Sequence, residues 1–154
     1  MIEISGDLWD YHDTGNWIVI STNCIVTNDG RAVMGRGVAF QCAQRYRAFP
    51  YLLGDHIRKY GNRIGIFEQY RIIAFPVKNH FREMANLDLI RQSTKELADI
   101  YYNYQGEDDE LELVGTIYLP RVGCGSGRLD WSVVKPILEE YLTSDDFVVV
   151  YNET

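Results

Sequence analysis

Strand-like and helix-like segments alternate along this chain, and their order constrains the fold more than any other feature of the sequence. Continuous apolar runs, which are typical of buried strands, occupy residues 16–22, 70–77, 113–119 and 147–151. Helices are predicted between them, at 37–46, 51–61, 87–101 and 133–142. Because apolar strands that alternate with helices favour parallel pairing, we expect an α/β fold with a largely parallel sheet covered by helices on both faces.

Pro136 complicates the last of these helices. Proline is tolerated in the first turn of a helix but clashes with the backbone in its interior. We therefore expect this helix either to begin near residue 133 or to be kinked near that residue. Asp130 and Ser132 are both candidate N-caps, because their side-chain oxygens can accept from free backbone N–H groups.

The composition fits a single folded domain over residues 1–154, since 46% of the residues are hydrophobic and 24% are charged. The net charge of −7 argues against general nucleic-acid binding, although a small local basic pocket is compatible with it. No apolar run approaches the roughly 18 residues of a membrane span, and no signal-peptide pattern is present. Three cysteines without CxxC spacing favour a reduced, cytoplasmic compartment. The acidic segment at 105–113 is predicted to be an exposed loop.

Three unusual loops each follow a predicted strand, at residues 22–37, 76–86 and 120–130. In open α/β sheets, ligands bind outside the carboxyl ends of the strands. We therefore expect these three loops to converge on one site.

The loop at 120–130 is called the second loop below, and the loop after the strand at 16–22 the first loop. The second loop contains alternating glycines, Gly123, Gly125 and Gly127, between a strand-like and a helix-like segment. Glycine adopts positive φ at little cost and lets the backbone approach a ligand closely. A glycine-rich loop before a helix can bind phosphate through its N–H groups. A flexible connector is the alternative interpretation.

Several familiar catalytic motifs are excluded. Cys124 and Arg128 are separated by three residues, whereas the phosphatase loop needs five. The chain has no P-loop, no HExxH and no GxGxxG fingerprint. The three histidines are far apart in sequence, so we predict neither a metal nor a cofactor.

Five short segments carry a resemblance to a known family: SGDLWD (5–10), STN (21–23), AVMGRGVAFQ (32–41), FPVKNHFR (75–82) and LPRVGCGSGRLDW (119–131). In this order and spacing they resemble the macrodomains, the ADP-ribose-binding fold, over residues 3–151. The resemblance implies a three-layer α/β/α domain with a mixed, mostly parallel sheet. The subgroups that it resembles most remove ADP-ribose from DNA bases or from protein carboxylates.

The resemblance implies roles for individual residues. Asp7 would accept from the adenine amino group, Asn23 would bind the distal ribose, and Tyr151 would stack on adenine. The alternatives are a turn aspartate, a strand-end turn residue and an ordinary strand-end core residue. The full set implied to bind ADP-ribose is Asp7, Leu8, Asn23, Met34, Gly35, Gly37, Val38, Pro120, Val122, Gly123, Cys124, Gly125, Ser126, Gly127, Arg128 and Tyr151.

Lys78 is the main catalytic candidate, because it follows an apolar run at the end of a strand, where desolvation can lower its pKa. In the resembling glycohydrolases a lysine acts on the anomeric carbon of the distal ribose or stabilises the reacting ring. Asn23 is the second residue assigned to catalysis. Binding of phosphate, or a surface position, is the alternative for Lys78.

The sequence departs from the protein-directed glycohydrolases in two places. Gly127 stands where they carry a second-loop aspartate, and Asp130 is expected to cap a helix instead. An insertion at 24–32 extends the first loop, with a turn signal at its Asn-Asp-Gly. These departures leave the acceptor open.

We predict an ADP-ribosyl hydrolase that acts on DNA or protein. The alternatives are a non-catalytic binder of ADP-ribose or a related metabolite, and an ADP-ribose 1″-phosphate phosphatase. The position of Lys78 favours an enzyme, while the missing aspartate and the acidic net charge favour a binder. The expected partner is ADP-ribose or an ADP-ribosylated macromolecule, bound by a monomer that is not attached to a membrane.

Overall fold

The structure is a computed structural model that describes residues 1–103 and 113–152. The acidic segment at 105–113 lies outside the described residues except for Leu113, which is buried.

A six-stranded sheet forms the centre of the described part of the chain. Its strands run in the order β1-β6-β5-β2-β4-β3, and all neighbours are parallel except β3 and β4. This arrangement confirms the predicted mixed, mostly parallel sheet. The elements in chain order are β1 (Ile2–Ser5), α1 (Leu8–Asp13), β2 (Trp17–Thr22), α2 (Gly37–Arg45), α3 (Phe49–Tyr60), β3 (Gly65–Phe67), β4 (Ile72–Pro76), α4 (Leu87–Asn103), β5 (Ile117–Leu119), α5 (Trp131–Tyr141) and β6 (Phe147–Tyr151).

Each face of the sheet packs against its own hydrophobic core. Along β2, Ile18 and Ile20 face the core that contains α1, α2 and α3, while Val19 faces the core that contains α4 and α5. All three side chains are fully buried. Successive side chains of a strand point to opposite faces, so burial on both faces requires the continuous apolar runs seen in the sequence.

The structure contains three elements that the sequence pattern did not predict, namely β1, α1 and β3. Both strands lie at edges of the sheet and are short, and α1 has six residues. The helix that contains Pro136 begins at Trp131, earlier than the expected start near 133, because Asp130 caps it by accepting from the Ser132 N–H at 2.8 Å.

The parallel strands all end at the carboxyl-terminal edge of the sheet, and the three unusual loops begin there. Strands β2, β4 and β5 end at Thr22, Pro76 and Leu119, and these ends are adjacent because the strands are neighbours. The predicted convergence of the loops is therefore confirmed.

Candidate functional site

A cavity of about 1010 Å³ opens at the carboxyl-terminal edge of the sheet, between the loops that follow β2, β4 and β5. Ligand pockets usually span roughly 300–1,000 Å³, so this cavity lies at the large end of the range. Most residues predicted from the sequence line it. They are Asp7, Leu8, Asn23, Met34, Gly35, Gly37, Val38, Lys78, Pro120, Gly123, Cys124, Gly125, Ser126, Gly127 and Tyr151.

Two predicted binding residues do not line the cavity. Val122 is fully buried and belongs to the core on the α4 and α5 side, so it supports the loop from beneath. Arg128 is exposed, with φ of 63°, and it acts on the cavity through its charge.

The second loop, residues 120–130, is held together by close backbone contacts around its glycines. Gly123 has φ of 77°, whereas Gly125 and Gly127 lie outside the positive-φ region. A Cβ on Gly127 would lie 2.5 Å from the Gly123 carbonyl oxygen and 2.8 Å from Ala85 Cβ, whereas nothing lies within 4 Å of one on Gly125. The glycines at 123 and 127 are thus required by the loop itself, and Gly125 leaves open space for a ligand.

The first loop, residues 23–36, is held together by side-chain hydrogen bonds. Asn23 Nδ2 donates to the Val33 carbonyl at 3.0 Å, and Asn23 Oδ1 accepts from the Ile25 N–H at 2.9 Å. The amide thus connects both ends of the insertion. Its role as a ribose ligand stays a prediction, and the sequence did not indicate this second function.

The inserted segment folds into a compact turn that packs on α3. The Gly30 N–H donates to Thr27 O at 3.0 Å, and an isolated bridge pairs Val26 with Ala32. Gly54 of α3 permits the contact, since a Cβ there would overlap the Gly30 carbonyl. Glycine is unfavourable inside a helix, and this contact with the first loop explains its presence at position 54.

Helix α2 begins at the end of the first loop and directs its N-terminus toward the cavity. Gly37 has φ of 59° and opens the helix, and Arg36 at the N-cap makes no side-chain capping bond. Residues 35–39 all line the cavity. Free N–H groups at a helix N-terminus favour an anion, so this end of the cavity suits a phosphate.

Lys78 lies between the second loop and the loop that follows β4. Its residue is 7% exposed, and its Nζ donates to the carbonyl oxygens of Phe81 at 3.2 Å, Glu83 at 3.3 Å and Ser126 at 3.5 Å. Burial lowers the pKa of the Lys78 ammonium, and the guanidinium groups of Arg128 and Arg36 lower it further, against the influence of Glu83. A lysine with a lowered pKa inside a cavity is a candidate for covalent or acid–base chemistry.

The opposite end of the cavity contains Asp7 and Tyr151. Asp7 caps α1 by accepting from the Trp9 N–H at 2.9 Å, and it remains exposed. The Arg121 guanidinium lies 4.2 Å from the centroid of the Tyr151 ring and 5.5 Å from that of Trp131. Arg121 thus already lies over the Tyr151 ring, and stacking of adenine on this ring stays a prediction.

Sequence reasoning missed several residues that line the cavity, above all Phe81, Arg121 and Trp131. All three belong to segments that carried the macrodomain resemblance. The Trp131 Nε1 donates to Glu3 Oε1 at 2.8 Å, across 128 positions of sequence. No local pattern could have indicated that contact.

Within residues 1–103 and 113–152, no group of three or more His, Cys, Asp or Glu side chains could hold a metal ion. Among the same residues, no helix is long and apolar enough to cross a bilayer.

Three curated proteins are similar in sequence, whereas no protein-family model matches the chain. A DNA ADP-ribosyl transferase–DNA ADP-ribosyl glycohydrolase fusion protein from Thermosipho africanus is 31% identical over 46% of this chain and 16% of that protein. A DNA ADP-ribosyl glycohydrolase from Thermus aquaticus is 29% identical over 77% of this chain and 33% of that protein. An uncharacterised 17.5 kDa protein of Enterobacteria phage T4 is 28% identical over 96% of this chain and 93% of that protein. The chain thus spans a third or less of the two glycohydrolases.

Solved structures share the fold along the whole chain. The macrodomain of Mycobacterium tuberculosis DarG has a TM-score of 0.74 at 24% identity, covering 99% of this chain and 97% of that one. The macrodomain of Thermus aquaticus DarG has a TM-score of 0.71 at 25% identity, with the same coverage. Thermosipho africanus DarTG in complex with ADP-ribose has a TM-score of 0.72 at 20% identity, covering 99% of this chain and 42% of that one.

The sheet order, the loops at its carboxyl-terminal edge and these structures together show that the chain has the macrodomain fold.

Proposed function

We propose that the chain binds ADP-ribose in this cavity and hydrolyses the bond between ADP-ribose and a DNA base. The observation that carries the proposal is the place of Lys78, a buried amine that lines the cavity between two loops. The relatives named as DNA ADP-ribosyl glycohydrolases support the choice of substrate.

The cavity has the parts that ADP-ribose needs. The uncapped N-terminus of α2 and the N–H groups of the second loop suit the two phosphates. Asp7 retains an oxygen that can accept from the adenine amino group, since a carboxylate has several acceptor positions. We assign the end of the cavity near Asp7 to adenine and the end near Lys78 to the distal ribose.

The net reaction requires no redox partner. The bond between ribose C1″ and the base breaks, water supplies a hydroxyl to C1″, and the base receives a proton. Lys78 would stabilise the distal ribose, at whose C1″ positive charge develops, or attack C1″ as a nucleophile after losing its proton. Its lowered pKa makes the neutral amine more accessible than in an exposed lysine.

A non-catalytic binder of ADP-ribose is the second candidate. The observation that favours it is that the Lys78 ammonium donates to three backbone carbonyls, so the side chain already holds two loops together. The glycine at position 127, where the protein-directed enzymes carry an aspartate, points the same way.

The substitution Lys78→Ala separates the two candidates. We expect turnover of an ADP-ribosylated oligonucleotide to fall about 10²-fold or more, the low end of what a positioned acid–base group contributes. Affinity for ADP-ribose, measured by calorimetry, should change far less, which marks an interaction made mainly in the transition state. Lys59→Ala, on the outer surface of α3, is the matched control for loss of a lysine.

Two further measurements complete the test. Lys78→Arg keeps the positive charge but cannot supply a neutral amine, so wild-type turnover in this variant would exclude a nucleophilic lysine. Parallel reactions with ADP-ribosylated protein and ADP-ribose 1″-phosphate, followed by mass, identify the acceptor. Binding of ADP-ribose without turnover of any substrate would establish the second candidate.

A further inference from the structure

The loop that follows Lys78, residues 79–84, carries an aromatic stack beside the cavity, and we name it the acceptor loop. Phe81 lines the cavity and is 39% exposed. The His80 ring stacks on it with centroids 4.2 Å apart and an interplanar angle of 29°. The Arg82 guanidinium lies 5.7 Å from the Phe81 centroid. Neither ADP-ribose binding nor the role of Lys78 explains this exposed stack.

The acceptor loop is held in place from within. The His80 Nδ1 accepts from the Arg82 N–H at 3.1 Å, which orients the imidazole ring. The Glu83 N–H donates to the His80 carbonyl at 3.1 Å. Lys78 Nζ donates to the Phe81 and Glu83 carbonyls, so the loop is attached to the catalytic candidate itself. Because these bonds already fix the loop, it loses little conformational entropy when a ligand binds to the exposed rings.

Positive charge gathers at the same end of the cavity, although the whole chain carries −7. Arg36 and Arg128 lie close enough to Lys78 to lower its pKa, and Arg36 lines the cavity. Arg82 adds a fourth cation on the acceptor loop. Glu83 on the same loop is an acidic group near Lys78, so the four cations exceed it. Such a local cluster complements a phosphate backbone, whereas the net charge of the chain opposes general binding of one.

We propose that the acceptor loop binds the single-stranded DNA next to the modified nucleotide, with a neighbouring base stacked on the Phe81–His80 pair and a phosphate at Arg82. The proposal rests on the proposed function, because ADP-ribose in the cavity places the attached strand at this loop. Exposed aromatic rings with adjacent cations are the usual platform for single-stranded nucleic acid. Unmodified DNA should bind weakly, since the platform acts as the second contact of a tethered ligand.

The test compares two substrates, an ADP-ribosylated oligonucleotide with nucleotides on both sides of the modified base and an ADP-ribosylated mononucleotide. The readout is the ratio of their kcat/KM values, because any effect of Phe81 on Lys78 acts on both and cancels. Loss of one stacked base costs about 1–3 kcal/mol, so Phe81→Ala should lower the ratio about fivefold or more. Phe40→Ala removes a similarly exposed phenylalanine that does not line the cavity, and it should leave the ratio unchanged.

The same comparison made with affinities, by fluorescence anisotropy, needs no turnover. If the wild type hydrolyses neither substrate but Phe81→Ala lowers the affinity ratio, the proposed reaction is wrong and the acceptor loop is supported. An unchanged ratio in Phe81→Ala would overturn the acceptor loop while hydrolysis by the wild type stands. Phe81→Ala could also lower kcat/KM only for an ADP-ribosylated glutamate peptide. That result would overturn the acceptor loop as a DNA site, because the loop would then bind a protein acceptor.

Discussion

The two loops on either side of the cavity are held by different forces. The second loop is kept in shape by backbone packing at Gly123 and Gly127, where a side chain has no room. The first loop is kept in shape by the Asn23 amide, which bonds Val33 and Ile25 on both sides of an insertion. Close packing tolerates no added atom, whereas hydrogen bonds fail only when a specific group is removed.

This difference separates what the loops can do for a ligand. The second loop presents backbone at Gly125, which faces open space, from a rigid frame. The first loop depends on one side chain that is also a candidate ribose ligand. We expect substitutions in the second loop to affect stability strongly at some glycines and only binding at others, while those in the first loop affect both together.

The largest effect is expected for Gly127→Ala. The new methyl group would overlap the Gly123 carbonyl and Ala85, and overpacking of this kind costs about 1–3 kcal/mol. Unfolding by urea should show the loss of stability, and calorimetry should show weaker binding of ADP-ribose because the loop has moved.

Gly125→Val is the control for this comparison. Its side chain enters open space at an ordinary φ, so stability should be nearly unchanged, while the valine occupies room that the phosphates need. Equal urea midpoints for Gly127→Ala and the wild type would show that close packing does not hold the second loop.

An effect of at most similar size is expected for Asn23→Ala. Removal of the amide leaves the Val33 carbonyl and the Ile25 N–H without partners, and each lost bond is worth about 0.5–1.5 kcal/mol. Hydrogen exchange of the Ile25 amide should accelerate, since its acceptor is gone. Asn23→Asp keeps that acceptor and loses the donor, so it should protect the Ile25 amide while still weakening the first loop. Unchanged exchange in the alanine variant would contradict the role of Asn23 as the clamp of this loop.

The central part of the fold could be predicted from the sequence because burial on both faces leaves a local signature. Strands such as β4, with five buried residues, appear as unbroken apolar runs. The edge strands β1 and β3 have four and three residues, with partly exposed positions, so no run or alternation is long enough to detect. Their pairing depends on strands that are already in place.

The location of the site could be predicted for a similar reason, since parallel strands end together. Its details could not, because they arise from contacts between distant segments. Trp131 is oriented by Glu3, and Arg121 is placed over Tyr151. Asn23 illustrates the limit most clearly, because an amide after a strand gives no hint that its partner will be Val33.

The smallest effect is expected at the tip of the first loop, with Asp29→Asn. Asp29 accepts from the Thr27 hydroxyl and forms an ion pair with Arg31 at 2.9 Å, but both charged side chains are about half exposed. Exposed pairs contribute little, so the urea midpoint and ADP-ribose affinity at pH 7 should match the wild type. The hydrogen bond from Thr27 lowers the pKa of Asp29, so its small stabilising contribution is present above the unfolded value of 3.8 and is lost as pH falls through the folded pKa. In acid the wild type should lose even this small contribution. A clear difference in midpoint at neutral pH would show that the tip, and not Asn23 alone, holds the first loop.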